Sequence, residues 1–247
     1  MSVRYTLKAA VLTAAFFMAG SLSLAFAGTF QVTPVRVELS AQQATAALTV
    51  SNNGSEAVVV QLQTSAWAQE NGNDQYSSTD DLIATPPIFT IQPGANQIVR
   101  VGMRRRPDAS TELSYRLYLQ EVHPAPAPGF RGLQMALRIG IPVFVQSTNK
   151  ATPDLTWTIE KIARDRLKVV ARNKGKAHLQ VTDFNLTLPG QDHPLAAQQV
   201  SSYLLPMQER GWTLTIDPAQ RLNAASVHVT AFTDAGKLEA DVNLDKP

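Results

Sequence analysis

The sequence predicts an all-β protein of two sandwich domains, and three observations carry that reading. Apolar and polar residues alternate with a period of two in short runs, Gly, Pro and Asn recur between the runs, and no long stretch keeps a helical period beyond the N-terminal segment. The chain has 247 residues, more than the ~100–150 typical of one domain. Its composition, 44% hydrophobic and 17% charged, suits packed domains rather than disorder.

Arg4 and Lys8 precede an apolar run from Ala9 to Leu24, and Ala25-Phe26-Ala27 puts small residues where a signal peptidase reads them. Residues 1–27 are therefore expected to be a cleaved signal peptide, with a mature chain starting near Gly28. A membrane anchor is the alternative, but Gly20, Ser21 and Ser23 interrupt the run and small residues end it. The formal net charge of +2 belongs to Arg4 and Lys8. The remaining chain is balanced and suggests neither nucleic acid nor an anionic membrane as partner. Cysteine is absent, which excludes thiol catalysis, thiolate zinc sites and iron–sulfur clusters, and a chain of this size can build a core without disulfides. No second apolar stretch is long enough to span a bilayer, so a soluble mature protein is expected.

Taken in order, Phe30, Val32, Val35, Val37 and Leu39 form the first extended segment, with Pro34 marking an edge or a bend. Ala46–Ser51 follows and ends at the turn Asn52-Asn53-Gly54-Ser55. Val58–Ala68 is next, then a polar loop from Gln69 to Asp81. Leu82-Ile83, Phe89–Ile91, Asn96–Met103 and Ser114–Val122 continue the pattern, with Pro93-Gly94 as a turn and Pro86 or Pro87 as candidates for a cis bond. A Pro/Gly-rich loop, His123–Gly132, leads to Leu133–Val145. About seven short strands in such a span match an immunoglobulin-like sandwich.

Gln146–Thr152 is polar, precedes Pro153 and is the expected linker. The domains are accordingly expected at 28–148 and 149–247. Strands of the second are predicted at Asp154–Ile162, Arg166–Asn173, Ala177–Leu188, Ser202–Leu205, Gly211–Asp217 and Ser226–Asp234, punctuated by Lys174-Gly175, Pro189-Gly190, Arg210-Gly211 and Ala235-Gly236.

Little in the chain points to catalysis. His123, His178, His193 and His228 show no ligand-like spacing and read as loop or surface residues. Nucleophile elbows, phosphate-cradling loops and dinucleotide fingerprints are missing. Glu70, Asp74, Asp80 and Asp81 are a calcium-type cluster or a solvated acidic loop, and the spacing of calcium loops is lacking. Arg104-Arg105-Arg106 reads as a solvated turn or a contact for an acidic partner. A non-enzymatic protein with no cofactor and no metal is expected.

The unusual feature is Leu133–Val145. Leu133, Met135, Leu137, Ile139, Ile141, Val143 and Val145 share one face over 13 residues, roughly 40 Å at ~3.3 Å per residue, whereas strands commonly run five or six residues. Either its own domain covers the whole apolar face, or the first half, Leu133–Ile139, offers its row to another chain. An apolar edge strand is a liability unless something pairs with it, and strand addition is one such pairing.

At these residues the sequence resembles the periplasmic pilus-assembly chaperones of chaperone–usher systems. The marks are Phe30-Gln31-Val32-Thr33-Pro34-Val35-Arg36, Leu48-Thr49-Val50-Ser51-Asn52, Ile83-Ala84-Thr85-Pro86-Pro87, Ile98-Val99-Arg100, Tyr115-Arg116-Leu117 and Leu133-Gln134-Met135-Ala136-Leu137, with Val169–Asn173, Tyr203-Leu204-Leu205-Pro206 and Trp212 further on. The resemblance implies two immunoglobulin-like domains set at an angle around a cleft. It also implies donor-strand complementation, in which the chaperone supplies the strand a pilus subunit lacks until an outer-membrane usher takes over. Leu133, Met135, Leu137 and Ile139 match the donated row, and Arg36 matches the arginine that anchors the subunit's C-terminal carboxylate. The family's second anchor is a lysine, and Pro142 stands at that position. Arg116 on the neighbouring strand is the expected substitute, with Arg138 a weaker one. The departure suggests a divergent branch, similar to the archaic or alternative systems. Pilus subunits and an usher are the expected partners, the periplasm the expected location, and dimerisation is a way for the free protein to cap its own edge. An extracytoplasmic adhesion or binding module of the same fold is the alternative.

Overall fold

The computed structural model describes residues 30–124, 129, 132–217 and 224–245. The expected signal peptide, and with it the cleavage site after Ala27, lies outside the described residues, as does most of the loop between His123 and Gly132.

The described residues of the first domain form β1 (Phe30–Thr33), β2 (Val37–Leu39), β3 (Thr45–Asn52), β4 (Val58–Glu70), β5 (Asn73–Ser78), β6 (Leu82–Thr85), β7 (Ile88–Ile91), β8 (Asn96–Met103), β9 (Leu113–Glu121) and β10 (Arg138–Val145). One layer runs β1-β3-β8-β6, the other β2-β10-β9-β4-β5 with β7 also on β4. The chain crosses between layers after β1, where the Thr33–Pro34 peptide is cis, and Thr85–Pro86 is the second cis peptide. Val60, Leu117, Leu119 and Val143 from one layer meet Leu48, Val50, Val99 and Val101 from the other, all without solvent exposure. Each such side chain contributes about 1.5–3 kcal/mol on burial.

Two expectations need correction here. Gln69–Asp81 is not a loop. Asn71 and Gly72 both take positive φ, 51° and 76°, which is the two-residue hairpin geometry that an Asn-Gly pair favours, and β5 returns along β4 from Asn73 to Ser78. Secondly, β10 is an eight-residue strand beginning at Arg138, not a thirteen-residue one beginning at Leu133. Its ladder with β9 ends at Glu121, where the Leu137 N–H bonds the Glu121 side chain instead of its backbone carbonyl, while the Val122 N–H continues toward β4, to Val59 O at 2.9 Å. Beyond that point the ladder is replaced by single links. The Glu121 N–H donates to Leu137 O (2.8 Å), Leu137 N–H donates to Glu121 Oε2 (3.2 Å), and His123 Nε2 lies 2.8 Å from Met135 O.

The second domain has β11 (Leu155–Ala163), β12 (Arg166–Asn173), β13 (Leu179–Thr187), β14 (Pro194–Leu204), β15 (Glu209–Thr215), β16 (Ser226–Thr233) and β17 (Gly236–Asp245). β14-β13-β16-β17 form one layer and β11-β12-β15 the other, joined where the end of β17 runs parallel to β11. The sequence reading missed β17 and the first eight residues of β14. β17 is largely exposed, with Val242 its buried core residue. β14 pairs through two irregularities in register.

Candidate functional site

Strand alternation turns Ile141, Val143 and Val145 into the core of the first domain and Pro142 and Phe144 to the opposite face of the sheet. That outer face meets the second domain. Phe144 is fully buried and packs with Trp67, Leu205 and Tyr203. Gln69 locks the seam, its Nε2 donating to Asp74 Oδ1 (2.8 Å) and Tyr203 O (2.9 Å) while its Oε1 accepts from Leu205 N–H (3.0 Å). His178, expected at the surface, stacks on Phe144 with ring centroids 3.4 Å apart. Its Nδ1 is 2.5 Å from Glu112 Oε1, both side chains being at least nine-tenths buried. The acidic residues of the β4–β5 region serve structure: Asp74 accepts from Trp67 Nε1 (3.1 Å), and Asp81 accepts from Tyr115 Oη (2.8 Å) and pairs with Arg105 (3.4 Å).

Two expected anchor cations border this seam. Arg36, between β1 and β2, places Nη1 2.7 Å from Asp234 Oδ2 of the second domain and Nε 3.3 Å from Glu38. Burial opposes its charge, but the Asp234 hydrogen bond and the neighbouring carboxylates outweigh it and hold its pKa above the ordinary arginine value. Arg116 stands on β9 directly opposite Pro142. Its guanidinium lies 4.0 Å over the Trp67 ring and 5.8 Å from the Tyr203 ring, a cation–π seat. Nη1 makes a long bond to Gly140 O (3.4 Å), and Nε is buried without a partner. Among the described residues no carboxylate forms an ion pair with Arg116. Tyr203, beside both arginines, is pushed by burial above the usual phenol pKa although the two cations pull it down, so its hydroxyl stays a donor at neutral pH. Arg138 lies farther out, stacked 4.0 Å over Tyr118.

The apolar row divides into two parts. Leu133 and Met135 are 84% and 73% exposed, whereas Leu137 and Ile139 lean on the first domain's own core. Beside the row runs an open edge. β2 pairs with β10 only along Val143–Val145, so no strand covers the side of Arg138–Pro142 away from β9 among the described residues. Leu137 O points to β9 and Gln146 N–H to Leu39 of β2. Alternation therefore aims the backbone groups of Arg138 and Gly140 at the open edge. Pro142 belongs to the same set, so its missing N–H costs the β9 ladder nothing.

Residues 29–149 match the model of the family described as "Pili and flagellar-assembly chaperone, PapD N-terminal domain". By this domain, the chain belongs to the pilus-assembly chaperones. The fold agrees across both domains. The chain is similar to the chaperone of the Acinetobacter baumannii CsuC–CsuE chaperone–tip adhesion subunit pre-assembly complex, from archaic chaperone–usher Csu pili, at 18% identity and a TM-score of 0.64, covering 88% of this chain and 100% of that one. It is also similar to the YadV chaperone (16% identity, TM-score 0.60, 88% and 100% covered). The complex of the Salmonella enterica SafA pilin with the SafB chaperone provides a third match (18%, 0.59, 87% and 97%). No curated protein sequence matches this one. Pilus-assembly chaperones are non-enzymatic and periplasmic, and among the described residues no helix is long and apolar enough to cross a membrane.

The sequence reading of this chaperone's cleft named Arg36 and Arg116 but not Tyr203 as a neighbour of both, nor Asp234, Glu112 and His178. A lone Asp before Ala235-Gly236 and a lone His on an alternating strand carry no signal of their own. Their significance comes from the packing of one domain on the other.

Proposed function

We propose that this chaperone caps pilus subunits by donor-strand complementation at the edge of β10. Leu133, Met135, Leu137 and Ile139 supply the alternating apolar row, and the open backbone of Arg138 and Gly140 supplies hydrogen bonds to the subunit. Arg36 and Arg116 anchor the subunit's C-terminal carboxylate, with Arg116 standing in for the cation that Pro142 lacks. The complex forms in the periplasm, after removal of the signal peptide, and delivers the subunit to an outer-membrane usher. Free protein covers the same edge with a second copy of itself. The single observation that carries this reading is the unpaired edge of β10, flanked by exposed Leu133 and Met135 and ending at the two arginines. The solved chaperone–subunit pairs CsuC–CsuE and SafB–SafA support a pilin as the partner.

The test is co-expression with the small secreted proteins encoded nearby, followed by purification of what the chaperone retains. Met135→Glu is the sharpest variant, because this side chain is exposed and the substitution leaves the fold alone. It should lose the subunit at an unchanged melting temperature. Leu137→Glu acts on folding as well, since Leu137 touches the core. Normal subunit recovery with Met135→Glu, or with Arg36→Ala and Arg116→Ala combined, would overturn the reading.

A further inference from the structure

The two arginines of the cleft are in different electrostatic states. Arg36 already holds a carboxylate: Asp234 Oδ2 at 2.7 Å, with Glu38 at 3.3 Å behind it. Arg116 holds none among the described residues, and its Nε is buried and unpartnered. We infer that Asp234 is an internal carboxylate that occupies Arg36 in the free chaperone and competes there with the incoming one, leaving Arg116 as the cation that receives the subunit's carboxylate first. The inference rests on the carboxylate-anchor reading above and assigns the two anchors unequal roles.

Asp234 is held in place for this task. Its Oδ1 accepts from the Gln180 N–H at 2.8 Å, which keeps the carboxylate on the second domain, while Oδ2 reaches across to the first. His178 Nε2 stands 3.9 Å from the same Oδ2. The competing ligand is therefore fixed on one side of the cleft and its cation on the other. A second anion at Arg36 must displace Asp234 or share one guanidinium with it and with Glu38, and like charges at that spacing repel. Arg116 carries no such opposition. Its planar group is fixed on Trp67 at 4.0 Å, so it is ordered before a ligand arrives and loses little freedom on binding.

The inference is tested with N-acetyl-Val-Thr-Val bearing a free C-terminal carboxylate and with its C-terminal amide, titrated while the Nε–H NMR signals of Arg36 and Arg116 are followed. In the wild-type chaperone the carboxylate should move the Arg116 signal and leave Arg36 unchanged. Asp234→Asn keeps the acceptor for Gln180 but removes the charge. In it both signals should move, with a midpoint lower by about two- to five-fold, the range of one partly exposed charge pair. Equal movement of both arginines in the wild type, or an unchanged midpoint in Asp234→Asn, would overturn the inference while leaving the anchor reading intact. If neither arginine responds, or the amide acts like the acid, the anchor reading itself fails.

Discussion

Residues 133–137 and 138–145 continue one alternating pattern, yet they have different fates. The second stretch is a strand paired with β9 along its whole length and with β2 from Val143 onward, with Ile141, Val143 and Val145 in the core. The first has the same spacing of apolar residues but no ladder, and Leu133 and Met135 stand in solvent. Periodicity specifies which face a side chain takes once the backbone is extended. It does not specify a neighbour, and the neighbour decides whether a strand exists. β9 leaves at Glu121, and what remains is held by one backbone bond, from the Glu121 N–H to Leu137 O, and by the side chains of Glu121 and His123.

Four substitutions along this segment can break or sharpen that contrast in thermal or urea unfolding of the free chaperone. Ile141→Ala removes a 2%-exposed side chain and should cost about 2–5 kcal/mol. Ile139→Ala, at the margin of the core, should cost about 1–2 kcal/mol, because only part of its surface is buried. His123→Ala should cost about 1 kcal/mol or less, and hydrogen exchange should quicken at residues 133–137 while β10 keeps its protection. Met135→Ala should leave stability within about 0.5 kcal/mol of wild type. A loss at Met135 as large as that at Ile139 would show that the exposed stretch is part of the fold after all.

Much of the fold was legible because both domains rest on short strands whose apolar residues recur at every second position. Of the two cis candidates, Pro86 and Pro87, the bond before Pro86 is cis, a second cis bond before Pro34 was not foreseen, and Arg116, expected beside the end of the Leu133–Val145 strand, stands opposite Pro142. Where the reading fell short, the reasons are physical. The Asn71-Gly72 hairpin was signalled in the sequence, but the polar residues of β5, mostly exposed, masked the strand. β17, mixed in charge and mostly exposed, offers no clear apolar face to find. His178 and Asp234 acquire their surroundings from residues 66 and 198 positions away in the chain, a distance over which local patterns say nothing.

The proline opposite Arg116 sets a limit on what the open edge accepts. Arg138 and Gly140 offer backbone partners, Pro142 offers no donor, and from Val143 onward β2 fills the place. A chain laid along this edge toward β2 would meet the backbone groups of Arg138 and Gly140, then the Pro142 carbonyl alone, and then β2 itself. Under the proposed strand donation the edge would work as a ruler with a stop: it would select a guest by where its backbone ends or turns away, and two guests with unrelated side-chain sequences but the same terminus would lie on it alike.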